Sequence, residues 1–282
     1  MMNVPRHGVR WAVLLVVSTV AHADLGAGEE PRVYGREGLH ITELRSATLV
    51  PVDTTWNDVL PEGSMRTPVG SGGGAVDLVR WPQGGKTPEH ARLLYWTAIV
   101  LGGELGVRFS GEADERRLAS LSFLMVPAGL GHAVRCLPGP DCLLLMFQGG
   151  LHNGVVPSTS PASADVISPE GIPPVILDLN RVSWQRVERG LWRGDLGAPV
   201  WAQLSVGASG ADLWRLEPGR STEAVLGDGH SSHHTGLVVE GAVLLTSTHG
   251  VSHRLSPLTY FEVPRTFPLA CVALSPCVLL AR

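Results

Sequence analysis

The stretch LASLSFLMVPAGLGHAVRCLPGPDC, residues 118–142, decides the fold of this chain. Its first half is an apolar, partly alternating run, which predicts a β-strand that ends at the turn Pro127-Ala128-Gly129. His132 follows the turn and opens a second strand-like run that carries Cys136, and a Gly-Pro segment separates this cysteine from Cys142. A histidine just past a Pro-x-Gly turn on a β-hairpin is well placed to point into a barrel.

The second half of the chain repeats the first half. The segment LASLSFLMVP at 118–127 matches LSPLTYFEVP at 255–264 without a gap, and the two cysteine pairs match as well. Shorter matches join 77–80 to 212–215 and 99–103 to 237–241, all at offsets between 135 and 138 residues. A steady offset of this kind predicts two homologous domains in tandem.

Composition and punctuation favour an all-β protein. The chain has 34 glycines, 21 prolines and only 17% charged residues, and short apolar runs are bounded throughout by Gly and Pro. We predict a first domain at 46–150 and a second domain at 175–282. Residues 151–174 have the Ser- and Pro-rich composition of a linker, and residues 24–45 are predicted to form a flexible arm or an edge strand.

Residues 1–23 are typical of a secretory signal peptide. Arg6 and Arg10 precede the apolar run 11–20, and Ala21-His22-Ala23 fits a small-x-small cleavage site. The apolar run is shorter than the roughly 20 residues that a membrane-spanning helix needs. We therefore expect a periplasmic or secreted protein that has no membrane partner after cleavage. Loss of both arginines would change the formal net charge from −4 to −6.

The four cysteines form two pairs with the same spacing, Cys136/Cys142 and Cys271/Cys277. An exported chain can form disulfides, and five intervening residues with Gly or Pro suit a short hairpin whose flanks are bridged. The alternatives are four buried free thiols or a metal site. Since the pairs lie far apart in the sequence, a zinc site made of four thiolates is the weaker interpretation.

This pattern resembles the cupin superfamily, whose small β-barrels carry metal ligands on one strand and a further histidine after Pro-x-Gly. More narrowly, the repeat, the cysteine pairs and the phrase VPAG..H…C resemble an uncharacterised family of double-cupin (bicupin) proteins. The resemblance implies two tandem jelly-roll barrels. It carries no activity, because no reaction is established for that family.

The resemblance also implies positions for the ligands, counted back from the turn glycine of each repeat. In the first domain these slots fall on His90, Arg92 and Trp96, with His132 as the second-motif histidine. In the second domain they fall on Asp228, His230 and His234, and no histidine stands near Leu269 to complete the set. Both sites depart from the four-ligand pattern.

The residue types allow two chemistries. Two imidazoles and a carboxylate, as in Asp228, His230 and His234, suit a divalent Zn, Fe or Mn ion with open positions. The alternative for this segment is a solvated His-rich turn. In the first domain the guanidinium of Arg92 repels a cation, so Arg92 either pairs with an anionic ligand in place of a metal or faces solvent. Trp96 would fill part of the same barrel.

Two functions of different class follow. The preferred hypothesis is an exported protein that binds a divalent metal or a small, anionic molecule without catalysis. The alternative is a metal-dependent oxidoreductase of the dioxygenase kind, or an isomerase, that acts on a small organic substrate. A net charge of −4 argues against nucleic acid as a partner. We expect either a monomer with an internal pseudo-dimer or a homodimer.

Overall fold

The computed structural model describes residues 40–52, 60–69, 76–92, 95–148, 155–157, 173–194, 212–220, 233–247, 252–264, 269–273 and 275–281. These residues form 22 strands and one 3-10 turn, Leu179–Arg181. The prediction of an all-β chain is confirmed. None of the described segments is a helix long and apolar enough to cross a membrane.

The chain divides into two compact units. The first unit is Leu44–Val182, and the second is Ser183–Arg282 together with the N-terminal strand. The first unit contains β2 (Val50–Pro51), β3 (Met65–Pro68), β4 (Val76–Trp81), β5 (His90–Arg92), β6 (Trp96–Gly102), β7 (Leu105–Phe109), β8 (Arg116–Leu118), β9 (Ser122–Val126), β10 (His132–Cys136), β11 (Cys142–Gln148), β12 (Val155–Pro157) and β13 (Val175–Asp178).

The second unit contains β1 (His40–Glu43), β14 (Trp184–Glu188), β15 (Leu191–Gly194), β16 (Asp212–Leu216), β17 (His233–Glu240), β18 (Val243–Ser247), β19 (Ser252–Leu255), β20 (Thr259–Pro264), β21 (Leu269–Ala273) and β22 (Cys277–Ala281). Every pairing between named strands is antiparallel in both units.

Each unit is built from two sheets. In the first unit a seven-stranded sheet has the order β13-β9-β6-β11-β4-β3-β2, and a five-stranded sheet has the order β12-β5-β10-β7-β8. In the second unit the orders are β1-β20-β17-β22-β16-β15-β14 and β19-β18-β21. Side chains from both sheets of the first unit share one apolar core that includes Val79, Trp96, Val107, Leu124 and Leu144. This arrangement is the jelly roll that the sequence predicts.

The strand that opens each repeat pairs with the unit built mainly from the other repeat. β1 precedes the first unit in the chain but pairs with β20, His40 opposite Glu262. β13 precedes the second unit but pairs with β9, Val175 opposite Met125. The exchange is reciprocal, at an offset of 135 residues, so it belongs to the repeat itself.

This exchange changes two of the predicted segments. Residues 40–43 form an edge strand, one of the two alternatives predicted for 24–45, but they pair in the second unit. Residues 175–178 lie in the predicted second domain but complete the sheet of the first unit. Within the predicted linker, Val155–Pro157 pairs with β5. The composition of a short run indicates that it forms a strand. It does not indicate the strand with which that run pairs, because the partner lies far along the chain.

Two matched backbone features show the repeat in three dimensions. Gly103 and Gly241 both have a left-handed backbone, with φ of 74° and 76°, at the turn that follows β6 and β17. A Cβ on Gly103 would lie 2.8 Å from the Asp141 carbonyl oxygen, so any side chain there would force the backbone to shift. Leu121 and Leu258 are also left-handed, and their amides donate to the carbonyls of Val100 and Val238.

The first cysteine pair is bridged. Cys136 at the end of β10 and Cys142 at the start of β11 form a disulfide with a Cα–Cα distance of 5.7 Å, which confirms the local bridge predicted for this pair. Cys277 is buried at the start of β22. The backbone of Cys271 lies in β21, but its side chain is outside the described residues, so the second bridge stays a prediction.

Candidate functional site

Four side chains that the sequence assigned to ligand positions meet inside the barrel of the first unit. His90 and Arg92 are two residues apart on β5, so they share one face of the strand. His132 begins β10 and lies directly opposite His90 in the register of the two strands. Trp96 begins β6 in the facing sheet. All four are buried, with relative exposures of 0–4%.

The aromatic rings of this cluster are in mutual contact. The ring centroids of His90 and His132 are 4.3 Å apart, with 51° between the ring planes. The Trp96 ring stacks on the His132 ring, with 5.6 Å between the ring centroids and 14° between the ring planes. The guanidinium carbon of Arg92 lies 5.3 Å from the Trp96 ring centroid, which is within the range of a cation–π contact.

Backbone carbonyls fix the tautomer of both histidines. The Nδ1 atom of His90 lies 3.0 Å from the Pro88 carbonyl oxygen, and the Nδ1 atom of His132 lies 2.9 Å from the Leu130 carbonyl oxygen. Since a carbonyl only accepts, each Nδ1 carries the hydrogen and donates it. The lone pair of each ring is therefore on Nε2.

Five buried polar atoms of this cluster have no hydrogen-bond partner among the described residues. They are Nε2 of His90, Nε2 of His132, Nε and Nη1 of Arg92, and Nε1 of Trp96. A buried polar atom left without a partner costs about 1–3 kcal/mol, and more when the group is charged. So many orphaned atoms in one place indicate a position for a ligand or for ordered water.

Burial also shifts the protonation equilibria. Burial lowers the pKa of His90 to about 4; the hydrogen bond to the Pro88 carbonyl opposes this shift, and the cation of Arg92 adds to it. Loss of solvent first, and then the neighbouring His90, lowers the pKa of His132 to about 3. Both rings are thus neutral at pH 7. Burial lowers the pKa of Arg92 to about 10, and the group stays a cation at that pH.

Neither of the nearby glutamates that could offset the Arg92 charge does so. Glu89 accepts a hydrogen bond from Ser110 at 2.6 Å. Glu104 lies 3.6 Å from the guanidinium of Arg117 at the surface. Arg92 is therefore a buried cation with no counter-ion among the described residues. The predicted alternative, in which Arg92 faces solvent, is wrong because Arg92 is buried in strand β5.

Comparison with known proteins identifies the fold. No protein-family model and no curated protein matches the sequence. Among solved structures, a candidate glyoxylate-induced protein from Pseudomonas aeruginosa aligns with a TM-score of 0.62 and 12% identity, over 97% of this chain and 95% of that one. A variant of Bacillus subtilis oxalate decarboxylase aligns with a TM-score of 0.53 and 14% identity, over 86% and 76%. The chain has the double-cupin fold.

A candidate dioxygenase from Nostoc punctiforme also shares this cupin fold, with a TM-score of 0.56 and 13% identity over 88% of this chain and 83% of that one. Identities of 12–14% establish the architecture and leave the chemistry to the residues of this chain.

The described residues of the first cupin barrel include fewer ligands than a divalent metal ion needs. Catalytic zinc sites and the iron sites of two histidines and a carboxylate have three protein ligands, and the described part of this cluster supplies two neutral imidazoles. Arg92 and Trp96 stand at the other two positions where the resemblance implies ligands, and both carry hydrogen-bond donors only. Among the described residues, no three His, Cys, Asp or Glu side chains lie close enough to hold a metal ion. The hydrogen-bond donors of Arg92 and Trp96 fit an anion.

The predicted ligands of the second cupin barrel lie at the limit of what the structure describes. Asp228 and His230 are outside the described residues. The backbone of His234 lies in β17 opposite Val263, 138 positions after Trp96, but its side chain is also outside them.

Sequence reasoning did not identify the two carbonyls, of Pro88 and Leu130, that set the histidine tautomers. Each lies two residues before its histidine. This shared spacing of two residues is the sequence feature that could have predicted the two hydrogen bonds.

Proposed function

We propose that the first cupin barrel binds a small organic anion, whose charged group is held by Arg92. The observation that carries this proposal is the burial of the Arg92 guanidinium with no carboxylate beside it among the described residues. A buried charge without a partner is strongly destabilising, whereas a carboxylate bound to guanidinium forms short, charge-assisted hydrogen bonds. An anionic ligand would supply the missing partner.

The remaining side chains have distinct roles in this proposal. The Nε1–H of Trp96 adds a second kind of donor next to the guanidinium, and the indole ring holds Arg92 by a cation–π contact at 5.3 Å. The neutral rings of His90 and His132 add no further positive charge, so Arg92 alone determines the preference for a single anionic group. One similar structure is an oxalate decarboxylase, named for a small dicarboxylate.

We propose that the protein has a binding or sensing role. We also propose that the mature protein is exported, because residues 1–23 resemble a secretory leader. The alternative, a metal-dependent oxidoreductase or isomerase, is a proposal for the second barrel, with Asp228, His230 and His234 as ligands. One observation favours this alternative: His234 lies on β17, at the position that corresponds to Trp96 of the first repeat.

Binding measurements on matched variants test this function. Calorimetric titration of the purified protein with three- and four-carbon carboxylates is expected to show saturable binding that Arg92→Met abolishes. Arg117→Met is the control, because Arg117 is 70% exposed and pairs with Glu104 at the surface, away from the buried cluster. Equal binding by Arg92→Met and the wild type would overturn the proposal.

Elemental analysis tests the metal alternative. A stoichiometric metal that survives His132→Ala and disappears in His230→Ala would place a metal in the second barrel and support the alternative there. A stoichiometric metal lost in His132→Ala would contradict an anion site in the first barrel.

A further inference from the structure

The anion site in the first barrel contains hydrogen-bond acceptors as well as donors. Arg92 and Trp96 present three orphaned donor nitrogens, and these suit the oxygens of a carboxylate. His90 and His132 present two orphaned Nε2 atoms that bear lone pairs, because their Nδ1 hydrogens are already given to the carbonyls of Pro88 and Leu130. A hydrogen-bond acceptor that pairs with the guanidinium therefore leaves the Nε2 atoms of the two histidines without a donor.

A simple carboxylate cannot serve both halves of the site. Its oxygens carry no hydrogen at neutral pH, so beside an Nε2 lone pair they would place two acceptors against each other. A buried acceptor without a donor costs about 1–3 kcal/mol. The ligand therefore needs a donor group close to its carboxylate, since the His90 ring and the Trp96 ring both contact His132.

The charge of Arg92 restricts that donor further. An ammonium group, as in an amino acid, would bring a second buried cation next to a guanidinium that already lacks a counter-ion among the described residues. Like charges in a site of low dielectric repel strongly. A hydroxyl group donates a hydrogen without adding charge, and so it fits the site better.

We propose that the first cupin barrel selects a small hydroxycarboxylate, with the carboxylate on Arg92 and Trp96 and the hydroxyl donating to Nε2 of His90 or His132. This inference rests on the proposed function, since it names the class of anion that the same site takes. The discriminating feature is the pair of histidine acceptors, which a carboxylate site based on arginine alone would not have.

Two sets of acids that differ at one position test the inference. Propionate, lactate and alanine share three carbons and carry hydrogen, hydroxyl and ammonium at the second carbon. Succinate, malate and aspartate form the matching four-carbon set. Calorimetric titration of the full-length wild-type protein is expected to give lactate or malate a Kd at least about tenfold lower than its unsubstituted partner, equal to about 1.4 kcal/mol. The amino acid of the same set is expected to bind most weakly.

Variants assign the acceptors. His132→Phe and His90→Phe each remove one lone pair and keep an aromatic ring, and cooperative urea unfolding shows whether each variant is folded. In at least one of these variants, the Kd of the unsubstituted acid is expected to be less than three times the Kd of its hydroxy acid. A wild type that binds propionate as tightly as lactate, and succinate as tightly as malate, overturns this inference and leaves the anion site standing. Absence of binding by every acid overturns both.

Discussion

His90 and His132 lie directly opposite each other on antiparallel strands, with their ring centroids 4.3 Å apart and their Nδ1 hydrogens donated to backbone carbonyls. In a cupin barrel this pair would be completed by further ligands on the neighbouring strand positions. Here the positions where the resemblance implies those ligands hold Arg92 and Trp96, and Arg92 is a buried cation.

Arg92→Met is expected to stabilise the ligand-free protein while it abolishes carboxylate binding. The variant removes a buried charge whose Nε and Nη1 atoms lack partners among the described residues, and methionine fills a similar volume. We expect the free energy of unfolding to rise by about 1–3 kcal/mol, measured by urea denaturation. The exposed control Arg117→Met should change it by less than about 0.5 kcal/mol. A clearly less stable Arg92→Met protein would mean that the guanidinium has a partner.

His132→Phe is expected to flatten the loss of stability at acid pH. Burial lowers the pKa of His132 to about 3 in the folded protein, below the ordinary value of 6.5. Between these values the unfolded chain binds a proton that the folded chain does not, so stability falls as the pH falls from 6.5 towards 3. The difference in unfolding free energy between wild type and variant should change by about 1.4 kcal/mol per pH unit in that window. Parallel curves would contradict the neutral, buried ring.

Gly103→Ala is expected to destabilise the first unit far more than Gly84→Ala. Both glycines have nearly the same left-handed backbone, with φ of 74° and 73°, so both variants incur the same strain, about 1–2 kcal/mol. Only at Gly103 would the new Cβ meet backbone atoms, whereas nothing lies within 4 Å of it at Gly84. We expect a further loss of about 1–3 kcal/mol at Gly103. Equal effects in urea denaturation would show that the close approach to Asp141 relaxes easily.

Reduction of the Cys136–Cys142 bridge is expected to lower the unfolding free energy by about 2 kcal/mol, because the bridge closes a short loop. Thiol titration of the denatured, unreduced protein then tests the second pair. No reactive thiol would confirm a Cys271–Cys277 bridge as well. Two reactive thiols would limit bridging to the first pair, and four would contradict the structure at Cys136 and Cys142.

The fold could be predicted from the sequence because the repeat is strict. The offset of 135–138 residues aligns two left-handed glycines, Gly103 and Gly241, and two left-handed leucines, Leu121 and Leu258, in a shared strand-and-turn pattern. The reciprocal pairing of β1 with β20 and of β13 with β9 could not be predicted, since strands of four residues carry no information about a partner far along the chain.

The family resemblance predicts which first-domain residues lie together, but not the chemistry of their cluster. Counting from Gly103 selects His90, Arg92 and Trp96, which the structure brings together with His132. The sequence could not show whether Arg92 points into the barrel, because that depends on the register of β5 against β10. Nor could it show the tautomers, which depend on carbonyl directions at Pro88 and Leu130.

A crystal structure of the protein purified from its own host, at a resolution that separates water from an organic anion and with anomalous data collected for metals, tests the central claim most directly. The account predicts density for a small anion that bridges Arg92 and Trp96, contact from that ligand to a histidine Nε2 atom, and no anomalous peak in the first barrel. A metal ion bound to Nε2 of both His90 and His132, or a cluster that holds only water, would contradict it.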